Sequence, residues 1–353
     1  MTLVDGSRKI ISDPLNVYLI FYGDWSYAMP TVRLIERFIG DLSQSRYFTA
    51  ATNNYSGADN RMGTNTVIHK KTVLDRRTLP VTYAEGSRHT TDDIIEHNIR
   101  NGNLPVDPLV PSNLIADHDG EQKLVRTAVY CVILASTIRV DMEYDNNKQQ
   151  WRGSDSCAWH GMTTLDNGYH VLSIHIMNVN ASGKRPDGTI MRHPNGDIIK
   201  PYQNCSTLFA LRNYVHDMPD KNSITTTPHN DNVGESCCDA LVHELVEVIT
   251  DPSSASKEWV QTTSQNMYLP RVGDASIYHL ENADLCAYNY GRIGNDTRDG
   301  SINRLQRTPN GSYTNVELKP GRKYFLPTMF IKEKSGKAPS TGKCLFGYHP
   351  KKK

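Results

Sequence analysis

The stretch "VHELVEVITDP", residues 242–252, puts His243 beside Glu244 and places Glu247 four residues after the histidine. Residues four apart on an α-helix share a face. An imidazole and a carboxylate at that spacing can reach one metal ion, at donor–metal distances near ~2.1 Å. Glu244 stands where the H-E-x-x-H metallopeptidases keep their general base; Glu247 replaces the second histidine of that pattern. Asp239 falls one turn earlier on the same face. Such a pair is also commonly a surface ion pair, so a metal reading needs a third ligand. Downstream, "YHLENADLC" offers His279, Glu281 and Asp284. Glu281 and Asp284 are three apart, so one could bind the ion while the other orients His243 from behind. One histidine with two carboxylates is a harder ligand set than a histidine-rich one. Zinc is the expected ion, with calcium or manganese as the alternative.

The helix that must carry these groups runs from near Ser236 to the stop at Pro252, with Ala240, Leu241, Leu245, Val248 and Ile249 as its apolar face. "LNVYLIFYGDW" (15–25) predicts a buried strand, and "TVRLIERFIGDLSQS" after it spaces apolar residues as a helix does. Residues 50–90 are polar and predict loops with short exposed strands. "TTDDIIEHNIRNG" (90–102) has a Thr N-cap, acidic first turn and glycine stop. "VRTAVYCVILAS" (125–136) predicts a central strand, "YHVLSIHIM" (169–177) another, and "GRKYFLPTMFI" a last one. The expected architecture is α/β: a mixed sheet with flanking helices, a zincin-like central helix and long surface loops. It is expected as a single domain over 1–353, with an N-terminal extension (1–14) and a basic tail (345–353).

Lys plus Arg number 39 against 38 for Asp plus Glu, so charge predicts neither a nucleic-acid nor an anionic-membrane partner. No run of ~18 apolar residues predicts a membrane span. "MTLVDGSRKIISDP" carries no apolar signal-peptide core, which by itself reads as not secreted. Five N-x-S/T sequons, at Asn54, Asn180, Asn204, Asn295 and Asn310, permit secretion. Seven cysteines without a C-x-x-C exclude a thiolate zinc finger and leave two readings. They are buried thiols, or two or three disulfides with at least one thiol over.

"HELVEVITDP" followed by "ENADLC" resembles the signature of the phosphate-induced protein family, the EXORDIUM-like proteins of plants. In the same order, "NVYLIFYGDWS", "AVYCVILAS", "CAWHG", "NDNVGESCCDALVHEL" and "GRKYFLPTMFI" with Cys344 resemble its other segments. The chain departs from that pattern where Trp259 comes late, where "YGRIGNDTRDGS" replaces a glycine-rich run, and where Cys157 stands alone for two cysteines. The resemblance implies a secreted or cell-surface protein whose partner is an extracellular-matrix glycan or peptide. It brings no catalytic mechanism, but its matching segments contain the candidate ligands.

Two functions are therefore expected. One is a zinc-dependent hydrolase in which His243, Glu247 and Glu281 or Asp284 hold the ion and Glu244 is the base. The other is a non-enzymatic structural or carbohydrate-binding protein with a closed metal site or a buried carboxylate–histidine network. His160 in "CAWHG" is a further ligand or substrate contact, or more plainly a buried, hydrogen-bonded histidine. The expected disulfides are Cys157–Cys205 and Cys286–Cys344, against four buried thiols; Cys237 and Cys238, adjacent in a helix, are expected not to pair with each other. Trp25 and Tyr22 line a sugar groove or fill the core.

Overall fold

The computed structural model describes residues 10–53, 61–82, 90–106, 111–116, 121–141, 144–145, 150–151, 157–180, 182–184, 189–190, 192, 195–198, 202–215, 221–252, 261–262, 278–279, 283, 290, 305–332 and 342–345. At its centre is a mixed sheet of six strands: β1 (Leu15–Tyr22), β2 (Val67–Asp75), β3 (Leu114–Ala116), β4 (Gln122–Leu134), β5 (Ala158–Thr164) and β6 (His170–Ile176). The order is β2–β1–β4–β6–β5, with β3 paired to β4. β2, β1, β4 and β6 run parallel; β5 is an antiparallel edge. β1 and the second half of β4 are apolar almost throughout because, inside a parallel sheet, both faces are covered. Tyr18 and Tyr130 stack across them at 5.0 Å.

Five helices flank the sheet: α1 (Met29–Leu42), α2 (Arg46–Thr52), α3 (Thr91–Arg100), α4 (Thr207–Asn213) and α5 (Asn232–Thr250). The strand alternation of β5 sorts two of them. His160 faces α5, whereas Thr163, an odd number of residues away, bonds to Asp92 of α3. α3 and α5 therefore cover opposite faces. α3 starts as its sequence predicts, with Thr90 and Asp93 exchanging the two bonds of a capping box.

Three expectations need correction. The polar stretch 50–90 holds the end of α2 and the nine-residue strand β2, not only loops and short strands. β2 is polar because it is an edge strand with exposed positions, and its pairing with β1, invisible in its own composition, makes it a strand. α5 starts one turn before Ser236, where the Asp231 side chain caps the Gly234 amide at 2.8 Å. A Cβ on Gly234 would lie 2.9 Å from Leu34 Cδ2, so glycine there lets α1 and α5 approach closely. "GRKYFLPTMFI" is two strands, not one: β8 (Arg322–Tyr324) pairs with β7 (Val316–Lys319), and β9 (Met329–Lys332) with β10 (Gly342–Leu345). Pro327 interrupts the run, and Asn315 brackets Leu326 through its amide and carbonyl oxygen.

The C-terminal ends of β1 and β4 are where chain direction divides, the usual crevice of open α/β sheets. Here it is filled. Gly23 has φ +100°, and a Cβ on it would sit 2.8 Å from both Ala135 and Ile138. Tyr22 and Trp25 are buried core residues, so neither lines a sugar groove. Gly23→Ala should combine backbone strain with overpacking and lower stability by about 2–4 kcal/mol, read as a lower urea midpoint at unchanged slope. An unshifted midpoint would show that the crevice is not tightly filled.

Candidate metal centre

α5 is buried nearly all round rather than along one stripe: Leu241, Val242, Leu245, Val246, Val248 and Ile249 all lie in the core. Glu244 and Glu247 sit among them, and a carboxylate in such a place must have partners. The main partner comes from the edge strand. His160 Nδ1 lies 3.2 Å from Glu244 Oε2 and 3.5 Å from Glu247 Oε2, and all three side chains are only 4% exposed. One donor atom from each of His160, Glu244 and Glu247 falls within 4.8 Å of the others, and this buried group could hold a metal ion.

The tautomer of His160 makes the arrangement specific. Its Nε2 lies 3.2 Å from the Asp251 carbonyl oxygen, which can only accept. Nε2 therefore carries a hydrogen, and in the neutral ring Nδ1 presents a lone pair to two carboxylate oxygens. Nδ1 and the two carboxylates, brought together in a buried site, need a proton or a cation between them: an imidazolium N–H would donate to the carboxylates, and a cation would take the lone pair of the neutral ring. A backbone carbonyl behind the ring is also the usual orienting partner of a metal-bound histidine. The donor set thus fits a divalent ion.

His243 stands beside this group, 21% exposed, with Nε2 3.1 Å from Glu247 Oε1. Oε1 is a buried oxygen without a hydrogen-bond partner among the described residues. The two glutamates are pushed apart in acidity. Burial raises Glu244, and the charge of Glu247 adds to that. Burial also pushes Glu247 upward, but His243 and His160 outweigh it and hold Glu247 well below the ordinary carboxylate range. One turn earlier, partly accessible Asp239 accepts the Tyr290 hydroxyl proton; burial pushes it up to about 6 against the opposing Tyr290 bond and His243 charge.

His243, Glu244 and Glu247 project from one helix as their spacing predicts, and the structure adds His160 across the gap between β5 and α5. Sequence reasoning weighed His160 as an added ligand but preferred a buried, hydrogen-bonded histidine, and it is buried and hydrogen-bonded as well as part of the group. Its 84-residue separation from Glu244 hides the contact in the sequence. Glu281 and Asp284 lie outside the described residues, as do the side chain of His279 and the pairing of Cys286 with Cys344. Cys157 and Cys205 are disulfide-bonded with Cα atoms 5.5 Å apart, as expected. Cys131, Cys237 and Cys238 are buried thiols.

No protein-family model matches the chain, nor does any curated protein or solved structure.

Behind the site, His175 stacks on Trp159 at 5.1 Å; its Nε2 lies 3.0 Å from Ser173 Oγ and its buried Nδ1 has no partner. Burial lowers its pKa to about 4, with Asp92 opposing and His160 assisting. The unfolded chain, near 6.5, binds the proton that the folded chain refuses. This contribution is therefore whole above about pH 6.5 and is lost as pH falls toward 4, by about 3 kcal/mol in all. Denaturant titrations across that window should show the loss, and His175→Phe, which keeps the stack, should flatten it. An identical pH slope in the variant would show that His175 is not the group responsible.

Proposed function

We propose that this chain is an extracellular metal-dependent hydrolase whose centre is built from His160, His243, Glu244 and Glu247. The observation that carries it is the convergence of donor atoms: His160 Nδ1 faces two buried carboxylates while its Nε2 lies against a backbone carbonyl. In this reading β5 supplies in space the second histidine that the H-E-x-x-E helix lacks in sequence. His160 and Glu247 would hold the ion, and His243, 3.1 Å from Glu247 on the more exposed side, would complete the set. Two imidazole donors favour zinc over calcium, which takes oxygen ligands, and over manganese, which prefers carboxylates. When bound, the ion supplies Lewis acidity toward water and toward a substrate oxygen.

The chain's own groups divide the remaining work. Glu247, which burial pushes up but the charge of His243 holds below the ordinary carboxylate range, stays a negative donor at neutral pH. Glu244, with its raised affinity for a proton, is the group suited to take one from water and pass it to a leaving group. Asp251 fixes the ring of His160 through its carbonyl. The substrate class proposed is an extracellular glycan or peptide, on the resemblance to the EXORDIUM-like proteins. A second reading, an ion with a purely structural role, is favoured by the 4% exposure of the three donors, since a structural site is closed and a catalytic one keeps an open position.

Glu244→Gln separates the two. For a hydrolase it should keep the ion and the fold but lose 10²–10⁴-fold in rate, as general-base loss typically does. Glu247→Gln should weaken ion binding and lower the melting temperature together. Melts with and without chelator, beside a peptide and glycan substrate screen, provide the test. No turnover by wild type together with a large chelator-induced loss of stability would replace the hydrolase by the structural ion.

The extracellular assignment is supported by the Cys157–Cys205 disulfide. Among the described residues no helix is long and apolar enough to cross a membrane. The sequons differ in structure. Asn204 is exposed, whereas the Asn310 amide donates to the Thr227 and Pro228 carbonyls and to Asn230 Oδ1. Expression through a eukaryotic secretory pathway should place a glycan on Asn204 and leave Asn310 bare by peptide mass mapping. A bare Asn204 with Cys157 and Cys205 as free thiols would point to an intracellular protein instead.

A further inference from the structure

Cys157 stands three residues before His160, at the entrance to β5, and its partner Cys205 immediately precedes Ser206, the N-cap of α4. α4 is in turn tied to α5: Thr207 N donates to Ser236 Oγ at 2.8 Å, and Leu208 N donates to Asn232 Oδ1 at 2.8 Å. A closed ring of connections therefore runs from His160 through the disulfide to α4, and through α4 to the helix that carries Glu244 and Glu247. β5 needs such a tie. It is an edge strand, and among the described residues only β6 pairs with it in the central sheet. A strand held along one side frays from its end, and the entrance end is the one nearest His160.

We propose that the Cys157–Cys205 disulfide is the clamp that sets His160 against the two glutamates, so that the ion affinity of the centre depends on whether this bond is oxidised; the inference rests on the metal reading above. Both cysteines are half-buried, so a reductant can reach the bond. With a phosphine the step is balanced: the S–S bond breaks, phosphorus is oxidised to the phosphine oxide with the oxygen of one water, and the two sulfurs leave as thiols carrying that water's protons. A phosphine also avoids the chelation of zinc by a dithiol. Once the bond is open, the entrance of β5 is held by backbone bonding such as Met177 N to the Cys157 carbonyl at 3.1 Å.

The test measures zinc affinity by competition with a chromophoric chelator, and the visible spectrum of the cobalt-loaded protein. It compares the full oxidised chain, the C157S/C205S variant and phosphine-reduced wild type. The variant isolates this bond from the remaining cysteines. The reduced wild type, shown to be folded by circular dichroism and open at 157 and 205 by mass mapping, serves if the variant does not fold. Affinity should fall ~10–100-fold, the usual cost of losing support behind a metal ligand, with a changed cobalt spectrum. Reoxidation of the wild type should restore both. Stoichiometric binding that is equally tight with the bond open overturns the clamp and leaves the metal centre standing. Absence of binding to the oxidised chain, with Glu247→Gln indistinguishable from wild type, overturns both.

Discussion

Everything in this structure turns on two carboxylates placed where carboxylates are expensive. Glu244 and Glu247 lie on consecutive turns of a helix that the core encloses on nearly every side. Unpaired, each would cost several kcal/mol to bury. The fold answers by bringing a histidine from an edge strand and fixing that histidine's other nitrogen on the carbonyl of the residue that ends the helix. The three-part unit of strand, helix and helix terminus is held together by the same contacts that create the candidate site.

The rest of α5 repeats the theme. Glu235 accepts from the His229 ring nitrogen at 2.6 Å, and Asp239 accepts from Tyr290. Asp41 on α1 takes Arg322 and the Tyr324 hydroxyl from the C-terminal hairpin. A helix with acidic side chains along its length can be central only if each finds a donor from another part of the chain. Apart from His229, six residues before Glu235, these donors come from far away in sequence, so the docking of α5 and the closing of the surrounding segments are coupled. Glu235 and Glu247 each keep a buried carboxylate oxygen without a hydrogen-bond partner among the described residues. Glu247 differs in lying beside a second buried carboxylate and two histidines, a cluster of donor atoms that a cation would bridge.

The position of the site also follows from the sheet. Open α/β sheets leave a crevice where chain direction divides, and this one has closed it with Gly23, Ala135 and Ile138. The candidate site lies instead at the lateral edge of the sheet, where the antiparallel strand β5 lies against α5. An edge strand suits such a site because its outer flank is not committed to another strand. It is also the least constrained strand of the sheet, which gives the disulfide at its entrance its importance.

The sequence by itself determined the pieces whose signals are local. Apolar runs of the right length marked β1, β4 and β6, the Thr90–Asp93 box marked α3, and the i, i+4 spacing put His243 and Glu247 on one face of α5. An α/β fold with a mixed sheet and flanking helices follows from those, and the structure has it. What only the tertiary structure decided are relations between distant residues. β2 reads as loop until β1 lies beside it. α5 gains its first turn from Asp231 and from a glycine that admits Leu34. "GRKYFLPTMFI" divides because Asn315 and Pro327 separate two different partners. His160 carried no local mark of its role, since strand alternation can say that a residue faces inward but not what it will meet there. Only the packing of β5 on α5 brings its Nδ1 to Glu244 and Glu247, because convergence of donors is a property of three-dimensional distance and leaves no periodicity in the chain.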